Sequence, residues 1–327
     1  MVPVAPVIRI MPQTLPRVVP DRIGDSGTEH MTGSFVPMAD SVKHVSATWG
    51  HEIPVPGALR PWVSDVRGVT ADADQGVLTH PPEASTALVF RVLDDRHGDL
   101  MVVGPRTRAR YHRGKHVPFG IRLRIRPSRA SLLLGVPVGE LVDQAVPLRD
   151  LWGTPGDRLT HELAGLGPDH MSVLKRIEAE FLARISLAAP GDLSRSDLVQ
   201  AAIAGLSTST GARPEPVPAI ARRLGVSERH LRDLFNRAVG VSPKRFARIE
   251  RLRTVLARAR TGSWARLAVE AGYYDQSHLT GEFREAMGVP PGSFVTGHLP
   301  APTPCGTSRP LGPSRGDPYG PRRGRHP

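Results

Sequence analysis

The chain has 327 residues, 43 basic and 31 acidic, with a formal net charge of +12 and 39% hydrophobic residues. That supplies enough apolar material for two domains with cores and excludes a compositionally disordered chain, although 33 Pro and 33 Gly imply long irregular segments. No apolar run approaches the roughly 20 residues of a membrane span, the lone Cys305 excludes a disulfide framework and fits a reducing cytosol, and the positive charge favours a polyanionic partner.

Residues 1–45 lack periodicity and read as a flexible arm. Their opening, MVPVAPVIRIMPQTLPRVVP, has several prolines and no uninterrupted apolar core, which speaks against a signal peptide; Met31 and Met38 are alternative starts. Residues 46–168 read as a mixed, mainly β domain. STALVFRVLD and DLMVVGP flank the turn-like DDRHG, the pattern of a hairpin. FGIRLRIRP alternates Ile121, Leu123 and Ile125 with Arg122, Arg124 and Arg126, the period of a half-buried strand with a solvated basic face. At 169 the period changes: HMSVLKRIEAEFLARI sets Val173, Leu174, Ile177, Phe181 and Ile185 on one helical stripe, so 169–195 is expected to be a connecting helix. DLVQAAIAGL is a second helix and TSTGARPEP a linker. Helical signals then run to about 295, and 296–327, ending PRRGRHP, is expected to be a disordered basic tail.

Within the helical part a pattern recurs. FNRAVGVSPKRF (235–246) returns as FREAMGVPPGSF (283–294), a constant offset of 48 that also relates Leu231 to Leu279, Gly240 to Gly288 and Pro243 to Pro291. Self-similarity at a fixed offset marks a supersecondary unit used twice. In the first copy PAIARRLG is a short amphipathic helix that Gly225 ends, and Ser227 caps a second helix, ERHLRDLFNRAVG. Leu231 and Phe235 face inward; Glu228, Arg229, Arg232, Asp233 and Asn236 lie outside. Helix, glycine turn, capped helix is a helix-turn-helix pattern, and Arg229, Arg232 and Arg237 suit a helix laid in a major groove. In the second copy ARLAVEAG is the first helix, Asp275 the N-cap, and QSHLTGEFREAMG the second helix, with Gln276, Ser277 and Thr280 near its exposed side. PKRFARIERLRTVLARAR joins the copies as one long helix. An ordinary helical bundle with solvated arginines is the competing account of a single copy.

SERHLRDLF-x4-GVSPKRF and LAVEAGYYDQSHLTGEF-x4-GVPPGSF resemble the double helix-turn-helix domain of AraC/XylS-type transcription regulators, over residues 196–295. GPRTRARYHRG, FGIRLRIRP-x-RASLLLGVP and ELVDQAVPLRDLWG more weakly resemble the N-terminal module of one group of such regulators. The resemblance implies an α+β chain: a mainly β domain for sensing or dimerisation, then an all-α domain reading promoter DNA through two recognition helices in successive major grooves. It implies base contacts from Arg229, Arg232 and Asp233 in the first copy and Gln276, Ser277 and Thr280 in the second. Asn236 joins them on the outer face, and Lys244, Arg245, Arg248 and the helix N-termini at Ser227 and Asp275 would hold the DNA backbone. Gly281 departs from the pattern, which commonly has arginine there. The expected partners are double-stranded promoter DNA, with RNA polymerase, a small-molecule effector and a second copy of the chain as further candidates, and no membrane. A bacterial, cytoplasmic regulator follows. The rival class is a ligand-binding or protein-interaction module whose basic faces are only solvated.

No enzyme, cofactor or metal site is expected. His112 and His116 are spaced i, i+4, but RARYHRGKH reads as a solvated basic loop without acidic or thiolate ligands. No Gly-x-Ser-x-Gly elbow or phosphate-cradling loop occurs, and Cys305 has no ligand partners for methyl-acceptor chemistry. The basic cluster of Arg106, Arg108, Arg110, Arg113, Lys115, Arg122, Arg124 and Arg126 is either a solvated strand face or an anion site.

Overall fold

The structure is a computed structural model that describes residues 49–71, 76–94, 97–114, 116–207, 214–259 and 263–303. The arm at 1–45, Lys115, Cys305 and the tail beyond 303 lie outside the described residues.

The first half is built on strands β1 (Trp49–Ile53), β2 (Val63–Ala71), β3 (Val77–His80), β4 (Ala87–Asp94), β5 (His97–Val103), β6 (Arg110–Arg113), β7 (Val117–Ile125) and β8 (Ala145–Pro147). Six form an antiparallel sheet in the order β1-β2-β7-β4-β5-β8, and β3 pairs with β6 alone. The β4–β5 hairpin is present, with Phe90 opposite Leu100 and Leu88 opposite Val102. Against the sheet pack α1 (Ala130–Leu134), a 3-10 turn at Val138–Leu141, α2 (Leu148–Trp152), α3 (Thr154–Gly165) and α4 (His170–Ile185). The expected stripe on α4 is real: Val173, Leu174, Ile177 and Phe181 are buried, and they join Phe90, Ile121, Leu123 and Ile125 in one core. The helix proposed as a connector therefore belongs to the sheet's own core.

The helical half follows as α5 (Pro190–Leu206), α6 (Val217–Arg223), α7 (Glu228–Val239), α8 (Pro243–Arg258), α9 (Trp264–Glu270), α10 (Gln276–Met287) and α11 (Pro291–Val295). Each copy of the repeat has its own core. Ile220, Leu231, Phe235 and Phe246 centre the first, with Ala84 of the sheet half among its members. Leu279, Phe283, Met287 and Phe294 centre the second. After α11 the chain does not stop making contacts: Leu299 packs on the second core, and Thr303 N–H donates to the Tyr111 carbonyl at 2.8 Å.

Two expectations need correction. RARYHRG does not form a loop, because residues 110–113 are β6, paired with β3 some thirty positions upstream. Nor is the arginine face of β7 solvated. Arg122 is 2% exposed, and β7 is nearly buried along its length. Period-two patterning locates a strand but not what covers its second face; here that cover includes an acid, Glu83, far away in sequence.

Candidate nucleic-acid interface

Each repeat presents its second helix by the same local chemistry. Gly225 and Gly272 adopt left-handed backbone at the end of the first helix, which costs glycine little. An N-cap follows: Ser227 Oγ accepts from His230 N–H at 3.2 Å, and Asp275 Oδ1 accepts from His278 N–H at 2.7 Å. Removing such a cap costs about 1 kcal/mol. Both helices end on a left-handed glycine, Gly240 and Gly288.

The sequence-derived residues fall on the solvent side of these helices. Ser227, Arg229, Arg232, Asp233 and Asn236 are exposed at the start and along α7; Lys244 and Arg245 are exposed at the start of α8; Gln276 and Ser277 are exposed on the first turn of α10, with Thr280 half-buried beside them. Arg232 reaches back one turn to Glu228. An exposed i,i+4 pair of this kind is worth about 0.3–0.5 kcal/mol, well below the roughly 1–3 kcal/mol of a bidentate arginine–guanine contact, so the pair does not withhold Arg232 from a base. Arg248 is different. Its guanidinium is paired with Glu285 at 2.6 Å and Glu282 at 3.1 Å, both on α10. Gly281 is exposed, and a Cβ there would meet no atom within 4 Å.

The sheet half holds both repeats, unequally. α5 docks through Arg129, which donates to Ser196 Oγ at 3.0 Å and pairs with Asp197, and through Ser128, which donates to Gln200 at 2.8 Å. At the end of α7 the fit is closest: a Cβ on Gly240 would stand 2.8 Å from the Val138 carbonyl oxygen. The second repeat touches the β6 region through Ala109 N–H to the Ala286 carbonyl at 2.7 Å and Tyr111 Oη–H to the Met287 carbonyl at 2.6 Å.

Between the halves lies the destination of the basic cluster. Glu83 is 5% exposed. Its Oε2 accepts from Arg122 at 2.8 Å and Arg106 at 3.1 Å, with Arg253 of α8 at 3.9 Å. Arg124 Nε stands 2.7 Å from Oε1, at an angle that makes it an ion pair without a hydrogen bond; Asp65 takes its other side at 3.0 Å. Burial pushes the Glu83 carboxyl up, but Arg122, Arg124, Arg253 and Arg106 together outweigh it and hold the group at about 2. Nearby His80 is kept neutral, its pKa lowered to about 3 by burial and then by Arg106, His112 and Arg122. The anion that these arginines face is supplied by the chain itself. Sequence reasoning missed Glu83; the signal was a solitary acid in HPPEAST, between β3 and β4.

The family model described as a helix-turn-helix domain matches residues 220–296, the span from the first buried isoleucine of α6 to the end of α11. This part of the chain is an AraC-type helix-turn-helix domain. The AraC-type domain contains both copies of the repeat and α8 between them. No curated protein matches the chain. Among solved structures it is similar to ToxT of Vibrio cholerae: an apo variant from strain SCE256 (12% identity, 70% of this chain and 96% of that one, TM-score 0.36), the unsaturated fatty acid-bound wild type of that strain (13%, 70% and 93%, 0.31) and the protein of strain O395 (11%, 70% and 95%, 0.34). Among the described residues no helix is long and apolar enough to cross a membrane, and no three His, Cys, Asp or Glu side chains are grouped to hold a metal ion.

Proposed function

We propose that the chain is a sequence-specific transcription regulator that binds double-stranded promoter DNA, with α7 and α10 as recognition helices in successive major grooves. The observation that carries this reading is the repeated presentation of a capped helix whose outward face bears Arg229, Arg232, Asp233 and Asn236 in one copy and Gln276, Ser277 and Thr280 in the other, inside a matched AraC-type domain. Arginine suits guanine O6/N7 and an acid accepts from cytosine N4. Lys244, Arg245 and the amide ends of α7 and α10 then take phosphate oxygens. The protein works in the cytoplasm and is not an enzyme. The sheet half serves sensing of a small effector or pairing with a second copy, as the family resemblance implies, and RNA polymerase is the onward partner.

Selection from a randomised duplex pool tests the reading. The expected product is a site with two preferred blocks about one helical turn apart. Recovery of no preferred sequence, with retention of a peptide or protein partner through the same helices, would favour the interaction-module alternative.

A further inference from the structure

The two repeats are not superimposable in register, and the difference is one residue. The buried pairs Ile220–Ala221 and Leu267–Ala268 lie 47 apart, whereas Leu231 and Leu279 lie 48 apart, so the second turn has gained a residue. Backbone hydrogen bonds locate it. After the left-handed Gly225, Val226 N–H returns to the Ala221 carbonyl at 3.1 Å; after the left-handed Gly272, Tyr273 N–H returns to the Ala268 carbonyl at 2.8 Å. Val226 and Tyr273 are thus equivalent, and both face their own cores: Val226 packs on the first, while Tyr273 is 5% exposed, lies edge-on to His278 and sits under Arg251. In the first copy the N-cap Ser227 comes next. In the second, Tyr274 intervenes before the N-cap Asp275.

Tyr274 is 91% exposed, the most exposed of the large apolar side chains among the described residues, and its ring and hydroxyl have no partner among them. No contact among the described residues explains this inserted, exposed residue. Its place is specific, directly before the N-terminus of α10 and beside the exposed Gln276 and Ser277. That end of a recognition helix faces the DNA, and its free amides favour a phosphate. A tyrosine combines a flat apolar body with a hydroxyl that can donate, which suits a sugar beside a phosphate.

Resting on the DNA-binding reading above, we propose that Tyr274 is a backbone-contact residue of the second repeat, its hydroxyl donating to a phosphate oxygen and its ring lying against the adjoining sugar. It gives the second helix, poorer in arginine than the first, an anchor that carries no base preference.

The test uses the full chain, a duplex enriched by the wild type from a randomised pool, and an unrelated duplex of equal length. Because the side chain is 91% exposed, Tyr274→Phe and Tyr274→Ala should leave the circular dichroism unchanged. Losing a hydrogen bond to a charged oxygen should weaken binding about tenfold in Tyr274→Phe, by the same factor on both duplexes, and Tyr274→Ala should weaken it further. Ethylation of one phosphate beside the second half-site should interfere with the wild type and not with Tyr274→Phe. Wild-type affinity in both variants would overturn the assignment while leaving the DNA-binding reading standing, and would mark the residue as exposed for a protein partner. A loss confined to the enriched duplex would overturn it in favour of a base contact. If the wild type retains no duplex at all, the proposal falls together with the reading beneath it.

Discussion

The two helix-turn-helix copies share a core plan and the same turn and capping chemistry, and differ on their outer faces. The first copy carries Arg229, Arg232 and Arg237 exposed on α7 and rests its glycine end against Val138. The second carries Gln276, Ser277 and Gly281 over the same turns, and at Gly288 the nearest atom to an added Cβ is Pro300 at 3.5 Å. Its exposed tyrosine has no counterpart in the first. The inward pattern is fixed by packing; the outward one is free to specialise. Under the proposed function, the first copy is the one equipped with arginines for bases, and the second the one poorer in them.

The largest expected effect comes from breaking the link on which that difference rests. Glu83→Gln leaves Arg106, Arg122 and Arg124 without their buried counter-charge, and removing one partner of a buried pair costs about 3–5 kcal/mol. Thermal unfolding should register that loss, and hydrogen exchange should show α7 amides opening more than those of α10, because Ala84 beside Glu83 belongs to the first core. Acid should do the same gradually. Glu83, held at about 2 against an ordinary 4.5, contributes stability that is full above 4.5 and is lost as pH falls toward 2. His80, lowered to about 3 from 6.5, contributes stability that is full above 6.5 and is lost as pH falls through that lower value. A stability profile flat from pH 7 to 3 would contradict both. Equal opening of α7 and α10 in Glu83→Gln would erase the contrast between the copies.

Smaller effects address recognition directly. Arg229→Ala or Arg232→Ala should cost about 1–3 kcal/mol on a selected duplex and relax preference at one position, whereas Lys244→Ala should weaken all sequences alike. Competition binding checks this, and equal, sequence-independent losses from all three would remove the base-reading role of α7. The mildest change is Gly281→Arg. Replacing a mid-helix glycine gains about 1 kcal/mol of helix propensity at most, the site has open space around it, and the new side chain faces outward. Affinity should rise and the footprint lengthen on the second half-site. A folded variant that no longer binds would mean that DNA backbone approaches the glycine closely.

The repeat was legible in sequence because each copy closes its core with local contacts, so Leu231, Phe235, Leu279 and Phe283 had to recur. The caps Ser227 and Asp275 were legible for the same reason: their partners lie three residues away. What could not be read was set by distant partners. Arg122 reads as solvated in sequence because Glu83 is 39 positions upstream, and the pairing of Arg248 is invisible there because Glu285 is 37 downstream. Tyr274 was hidden by the offset of 48 itself, which aligns it with Val226; only the spacing from Gly225 to Gly272 gave the shift of register away.

The salt dependence of duplex binding tests the account most directly. Lys and Arg that neutralise phosphates release counterions, so the logarithm of affinity should fall linearly with the logarithm of salt, by about three to five decades between about 50 and 200 mM if six to ten phosphates are engaged. Tight retention at low salt with that steep loss is the predicted result. A chain that fails to retain duplex DNA even at low salt, or binds with an affinity indifferent to salt, would contradict it.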